Sequence, residues 1–333
     1  VRKSGLSMDD LARHLGLSRA TVSFALNGRT DVRISEATRA RVVAAARELG
    51  YRPHAGAQSL AAQRTDLIGF VTDIPASPFG GGIIHGAQAA AWRRHKLLLI
   101  VSSEGDPEIE ATGVEMLLDR RVEGLVYATQ MHRVATLPAA VEAVPTVLVH
   151  CTSDRPGAVS VLPDEVEGGY AATRRLLAAG HRRIGLVNLA AGLPASTGRR
   201  SGYERALTEA GLELEPALVR QGDATATTGY DLAARLLDLA DPPTGLFCAT
   251  DRMAMGAYDA AKERGLRIPE DVAVVGFDNQ EIVAAYLRPA LTTVALPFAE
   301  MGVAAVEMLA ATAAGERVLD RTLTGRLVER ASV

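Results

Sequence analysis

Apolar positions recur along this chain with two different periods. Up to about residue 50 they fall three and four apart in short stretches, the spacing of amphipathic helices. Leu11, Ala12 and Leu15 share the first face; Ser7 precedes it as an N-cap with Asp10 three residues on, and Gly16 ends it. Leu17 fills the turn, Ser18 caps a second helix from Arg19 to about Leu26, and Asn27-Gly28 stops it. Val22 is expected to bury against the first helix, where the small Ala12 lets the two helices cross closely. That leaves Ser18, Arg19, Ala20, Thr21, Ser23 and Phe24 for the outer surface. Ser35 caps a third helix, "EATRARVVAAARELG", with Val42, Val43, Ala46 and Leu49 on one face and Gly50 at its end. Pro53 can start a short helix of small residues over 55–62, with Leu60 on one side. A helix of about eight residues that contains a glycine does not hold alone in water, so this stretch is a linker or needs a partner.

From Thr65 onward short apolar runs alternate with longer helical patterns. "LIGFV" (67–71) precedes a helix at 79–95, and "LLLIVS" (97–102) precedes one at 107–121; "GLVYA" (124–128) and "TVLVH" (146–150) follow. A second series holds "IGLVN" (184–188), "GLFCA" (245–249) and "VAVVGF" (272–277), each paired with a helix. This rhythm predicts an α/β body of two doubly wound subdomains, each a parallel sheet covered on both faces. A ligand crevice is expected at the carboxyl ends of the strands. The strand ends carry Phe79, Thr129, His150 and Asp278; Arg199 opens a helix, and Asp251 either faces the crevice or caps the helix starting at Arg252. Phe79 suits stacking on a ring, and Arg199 with Asp278 suits gripping hydroxyls or a carboxylate.

Charge divides the chain at the same place. Residues 1–64 hold 11 Arg/Lys against 5 Asp/Glu, a balance of +6, whereas the whole chain carries a net charge of -3, so the body carries -9. A basic head on an acidic body fits a head that alone touches a polyanion. The hydroxyls of Ser18, Thr21 and Ser23 suit phosphates or base edges, and Arg19 suits a guanine edge or a phosphate. Two distant cysteines, Cys151 and Cys248, make no disulfide framework and fit a reducing cytoplasm; seven scattered histidines form no metal site, and no cofactor is expected. No apolar run reaches membrane-spanning length, and the first residues lack the apolar core of an export signal. Catalysis is not expected: "FGGGIIHG" puts His85 where a dinucleotide loop needs its third glycine, and "GRRSGYE" is no nucleophile elbow.

The stretches "LARHLGLSRATVSFALNG", "VRISEATRARVVAAARELGYRPHAGAQSL", "GHRRIGLV", "CATDRMAMGA", "IPEDVAVVGFDN" and "PALTTVALP" together resemble the lactose-repressor/galactose-repressor family of bacterial transcription regulators, from Leu6 to Val333. The resemblance implies an all-α helix-turn-helix domain over residues 1–52, a hinge helix over 53–65, and a periplasmic-binding-protein-like effector and dimerisation body over 66–333. It places three chain crossings near Pro163, Pro289 and Leu323, giving an N-subdomain of 66–163 with 290–322 and a C-subdomain of 164–289 with 323–333. It implies a homodimeric repressor on inverted-repeat operator DNA, with Leu60 wedged into the central minor-groove step. The DNA-contacting set is then Ser7, Ser18, Arg19, Ala20, Thr21, Ser23, Asn27, Tyr51, Arg52, His54, Ala57, Leu60 and Ala61. The effector set is Asp73, Phe79, Thr129, His150, Arg199, Asp251 and Asp278; Arg199, ahead of "GY", and Asp278, in "FD", match the family's ligand contacts.

Several positions depart from the family pattern. His54 stands where an asparagine is common. His150 stands where sugar-binding members often have an acid, Ala224 where purine and galactoside binders have an aromatic, and Leu193 where purine binders have an arginine. A sugar or sugar derivative is therefore expected rather than a purine. Val303, Val306 and Leu309 are expected at the dimer surface or in the core, and "LVERASV" carries no leucine heptads for a tetramer. Ligand closure would change the spacing of the paired hinges and so operator affinity. The competing expectation is a solute-binding protein of a sugar transporter, which would share the body but not the head.

Overall fold

A computed structural model describes residues 6–27, 32–51, 65–73 and 80–333. The chain separates into two units, Val1–Thr65 and Asp66–Val333.

In the first unit α1 (Met8–Leu15), α2 (Arg19–Leu26) and α3 (Glu36–Glu48) surround one small core of Leu11, Ala12, Val22, Ala25, Val42, Ala45, Ala46 and Tyr51. The local chemistry sets each boundary. Ser7 Oγ accepts from Asp10 N at 3.2 Å while the Asp10 carboxylate accepts from Ser7 N at 3.0 Å, a closed capping box. Gly16 takes φ 64°, and Leu17 N donates to Ala12 O at 3.0 Å, which turns the chain into α2. Ser18 and Ser35 cap α2 and α3 through the backbone N–H groups of Thr21 and Thr38. Arg41 donates to the Leu15 carbonyl at 2.6 Å and so ties α3 to the carboxyl end of α1. The buried face of α3 is Val42, Ala45 and Ala46; Leu49, expected on it, is 37% exposed because the helix ends there.

In the second unit the elements run β1 (Leu67–Thr72), α4 (Gly80–Arg93), β2 (Leu97–Ser102), α5 (Pro107–Asp119), β3 (Leu125–Val134), β4 (Thr146–Thr152), β5 (Val159–Pro163), α6 (Glu165–Ala178), β6 (Ile184–Leu189), α7 (Pro194–Glu209), β7 (Val219–Gly222), α8 (Ala226–Leu237), β8 (Gly245–Cys248), α9 (Asp251–Glu263), β9 (Ala273–Asp278), α10 (Glu281–Ala284), β10 (Thr292–Ala295), α11 (Phe298–Ala313), β11 (Arg321–Leu323) and β12 (Arg326–Val328). They form two six-stranded sheets, β11-β5-β4-β3-β1-β2 and β12-β10-β9-β8-β6-β7, parallel throughout except for β12 against β10. Strand alternation feeds two helix-covered faces. In the first sheet Ile68, Phe70, Val126 and Val147 enter one core and Val71, Leu125, Tyr127 and Leu148 the other. In the second, Val187, Leu246 and Val274 oppose Leu186, Phe247 and Val275. Three helix pairs approach closely enough to require glycine. A Cβ on Gly86 or Gly302 would strike backbone between α4 and α11, one on Gly169 or Gly202 between α6 and α7, and one on Gly229 or Gly256 between α8 and α9.

The chain passes between the lobes at Asp164, at Leu296–Pro297 and at Thr324–Gly325. The second passage corrects the expected crossing near Pro289. The chain past that proline still belongs to the C-terminal lobe, because β10 pairs with β9 from Thr292↔Val275 to Ala295↔Asp278. Val306 and Leu309 are 1% and 6% exposed and pack with α4 and the sheet, so they are core rather than surface.

Candidate functional site

In the head, the exposed start of α2 carries Ser18, Arg19 and Ala20, with Thr21 and Ser23 half-buried beside them. No acidic residue stands in its first turn; among the described residues, Asp9 lies 3.5 Å from the Arg19 guanidinium beside this positive helix terminus. Ser18 Oγ lies 2.8 Å from Thr21 Oγ1 and caps the helix, and Asn27 donates to Ser23 Oγ at 3.3 Å; these groups are held locally, whereas Arg19 can swing outward. Tyr51, expected at the DNA surface, is 7% exposed and fills the three-helix core, where a ring is needed to close the small gap left by alanines. Arg52, His54, Ala57, Leu60 and Ala61 lie outside the described residues, as does Phe79. Substituting Arg19→Ala is expected to weaken binding to the preferred DNA by about 1–3 kcal/mol and to relax preference at one base pair. Anisotropy titrations across single-base variants check this; a uniform loss would make Arg19 a phosphate contact.

In the body, the N-terminal wall of the site is a strand irregularity. β3 and β4 pair in register up to Ala128↔Val149 and resume at Arg133↔Cys151, so Thr129–His132 bulge opposite His150, which takes φ 61°. Asp73 pins the bulge: one oxygen accepts from Gln130 N at 2.8 Å and the other lies 3.0 Å from the Arg133 guanidinium. Thr129 Oγ1 sits 2.9 Å from both the Met131 and His150 carbonyl oxygens and is 1% exposed. Asp73 and Thr129, expected to meet the effector, therefore shape the wall and do not line the cavity.

The cavity is lined by Gln130, Met131, His132 and His150 from the N-terminal lobe, by Leu189, Ala195, Arg199, Ala224, Thr250, Arg252 and Asp278 from the C-terminal lobe, and by Leu296 and Phe298 at the crossing. Arg199 is 3% exposed; its Nε donates to Glu165 Oε2 at 2.8 Å, its NH1 reaches the Ala249 carbonyl and lies 3.8 Å from Asp278 Oδ1, and its guanidinium stacks 3.8 Å from the Phe277 ring centre. The other Glu165 oxygen meets His132 Nδ1 at 3.3 Å. This contact joins the two lobes, since His132 is on β3 and Glu165 begins α6. Burial alone would raise the Glu165 carboxyl, but Arg199 and His132 overcome it and hold it at about 2. Burial pushes Asp278 well above the carboxylate range, only partly offset by Arg199. The backbone of Asp278 has φ 104°, strain of a kind that clusters at functional sites.

Asp251 is the clearest correction among the body residues. It is wholly buried, accepts from Thr293 Oγ1 and Gln280 N, each at 2.6 Å, and does not line the cavity. Nor does it cap α9, because Thr250 does so through Met253 N and Asp251 is already helical. Sequence reasoning missed Gln130, His132, Glu165, Arg252 and Phe298. For Arg252 a signal existed, its place beside Asp251 after a strand; the bulge that presents Gln130 and His132 leaves none.

Burial lowers His150 to about 4, and burial raises Asp251 to about 7. These shifts act in opposite directions on stability. Between pH 6.5 and 4 the unfolded chain takes up a proton at His150 that the folded one refuses, so stability falls as pH falls; from about pH 7 down to 4 Asp251 holds a proton in the folded state that the unfolded carboxylate lacks, so its contribution rises as pH falls. His150→Asn, which tolerates the positive φ, removes the first effect. From pH 7.5 to 5 the variant is expected to gain about 2 kcal/mol relative to wild type in denaturant titrations. Parallel behaviour of the two proteins would contradict the buried neutral imidazole.

Among the described residues no helix is long and apolar enough to cross a membrane, and no three His, Cys, Asp or Glu gather as for a metal ion. The chain matches bacterial regulatory proteins of the lacI family over residues 7–54 and the periplasmic binding protein-like domain over 173–333. The HTH-type transcriptional repressor PurR of Aliivibrio salmonicida is 33% identical over 326 residues, 97% of this chain and 95% of that protein. A solved lac repressor dimer, bound to operator and the anti-inducer ONPF, is 29% identical, with 99% of each chain covered and a TM-score of 0.83. The transcriptional regulator CelR in its cellobiose complex is 31% identical, with 98% of this chain and 100% of that one covered and a TM-score of 0.69.

Proposed function

This chain belongs to the lacI family of bacterial regulatory proteins, DNA-binding transcriptional repressors that act as dimers under small-molecule control, and we propose that its effector is a carbohydrate derivative held between the lobes at Arg199 and Asp278. One observation carries this reading: a buried Arg199–Asp278 pair lines a cavity that both lobes build. The CelR–cellobiose likeness supports the carbohydrate class. Ala224 on the cavity wall is too small to offer a ring at the position where the family's purine binders are expected to carry one, which favours a carbohydrate over a purine. The DNA-bound relative and the matched head favour a repressor over a transporter's solute-binding protein.

Because His132 and Glu165 touch across the lobes beside Arg199, an effector that competes for Arg199 alters how the lobes are held. Lobe geometry then biases operator affinity through residues 53–65, where Leu60 would act as the minor-groove wedge; the site of action is the cytoplasm. The dimer surface is the edge strand β2, whose Leu97 and Ile100 are 52% and 48% exposed, a row of unpaired backbone and apolar side chains that a second copy would cover. A thermal-shift screen of sugars, sugar acids and sugar phosphates tests the effector reading. A compound that raises the melting temperature is expected to change operator affinity at least about fivefold, the lower end of ordinary coupling. Stabilising compounds that leave operator affinity unchanged would contradict it.

A further inference from the structure

Most polar groups around the cavity are already matched. Arg199 has Glu165 and the Ala249 carbonyl, Glu165 has His132, Asp278 has the Gln280 amide, and Thr250 Oγ caps α9. Two groups on opposite walls are not. His150 is 4% exposed, and its Nε2 has no hydrogen-bond partner. Its Nδ1 lies 3.2 Å from the Thr129 carbonyl, an atom that only accepts, so the ring proton sits on Nδ1 and Nε2 offers a lone pair. The missing partner there is a donor. On the other wall, Arg252 is the second residue of α9; its Nε is buried and unpartnered, and among the described residues it makes no ion pair. The carboxylate that feels its charge, Asp223, already accepts from Thr225 N and Oγ1 at 3.1 and 2.5 Å. Glu165 offsets Arg199, and Asp251 is turned inward to Thr293 and Gln280. Arg252 is thus left as an unmatched positive charge at the positive end of a helix, facing a cavity.

We propose that the effector is a hydroxylated acid, which presents a hydroxyl to His150 Nε2 and a carboxylate or phosphate to Arg252. The proposal rests on this cavity being the effector site. A neutral sugar satisfies only the histidine and a bare anion only the arginine; one molecule with both groups answers both walls.

The test uses the full-length protein and matched probes: gluconate with glucose, galacturonate with galactose, ribose 5-phosphate with ribose, and inorganic phosphate against chloride at equal ionic strength. Inorganic phosphate is expected to raise the melting temperature of wild type more than that of Arg252→Gln, whose melt in chloride shows that it is folded. Within a pair that binds, the acid is expected to outbind its neutral parent, and Arg252→Gln is expected to weaken the acid about tenfold or more while changing the parent little. The carboxylate and phosphate arms tell which anion is used. Equal phosphate increments in the two proteins, or a neutral sugar bound as tightly as its acid with no effect of Arg252→Gln, would overturn the proposal. In that event, loss of the sugar in Arg199→Met would leave the cavity as the effector site, and unchanged binding in that variant would remove both readings.

Discussion

Arg199→Met is expected to abolish the response to effector and to lower the stability of the body by about 3–5 kcal/mol, the cost of leaving a buried carboxylate without its counter-ion. Glu165, with its carboxyl held at about 2 largely by Arg199, is the group left stranded. Glu165→Met in the Arg199→Met background removes both charges and is expected to recover most of the stability without restoring the ligand response. That split separates a ligand contact from a merely structural ion pair. Operator binding without effector is expected to survive in both variants, because the head has its own core around Leu11, Val22 and Val42. Chemical denaturation and operator titrations with and without ligand read the two quantities. A variant that keeps its full ligand response would take Arg199 out of the site.

Leu97→Lys with Ile100→Lys is expected to give a monomer at micromolar concentration. Both residues lie on the outer strand of the first sheet, so a charge at either is easily solvated in the monomer and costly in a covered edge. Affinity for an inverted-repeat operator is expected to drop by about 10²–10⁴-fold, since each head then binds without the effective concentration supplied by its mate. Ligand affinity is expected to change little. Sedimentation velocity gives the assembly state; a dimer that persists would place the self-association surface elsewhere, with the exposed Ile282 and Tyr286 of the C-terminal lobe as the next candidates.

Much of this architecture is legible in the chain because side-chain alternation is physical. Ile68 and Phe70 must face away from Leu67 and Val71 in any strand, and the apolar composition of both sets requires helices on both faces. The caps at Ser7, Ser18 and Ser35 were equally readable, since each hydroxyl sits one residue before a helical pattern. What escaped depends on register and on distant partners. "VRQG" at β7 and "TTVA" at β10 are short and partly polar, and Pro289 looks like a boundary although the sheet continues beyond it. Thr129 and Asp73 stand at strand ends as ligand contacts would, yet the bulge turns Gln130 and His132 inward and spends the other two on holding it. Nothing in the local sequence marks Glu165, an acid in the first turn of α6; only the fold brings it to Arg199 and His132.

On the proposed function, one dimeric molecule reads two DNA half-sites and a small molecule between its lobes controls the reading. The decisive experiment is selection of binding sites from a random DNA pool by the full-length protein. The expected outcome is enrichment of an inverted repeat whose retention is altered by the ligand found in the thermal screen and no longer altered in Arg199→Met. Enrichment of isolated half-sites, or of no sequence at all, would contradict it.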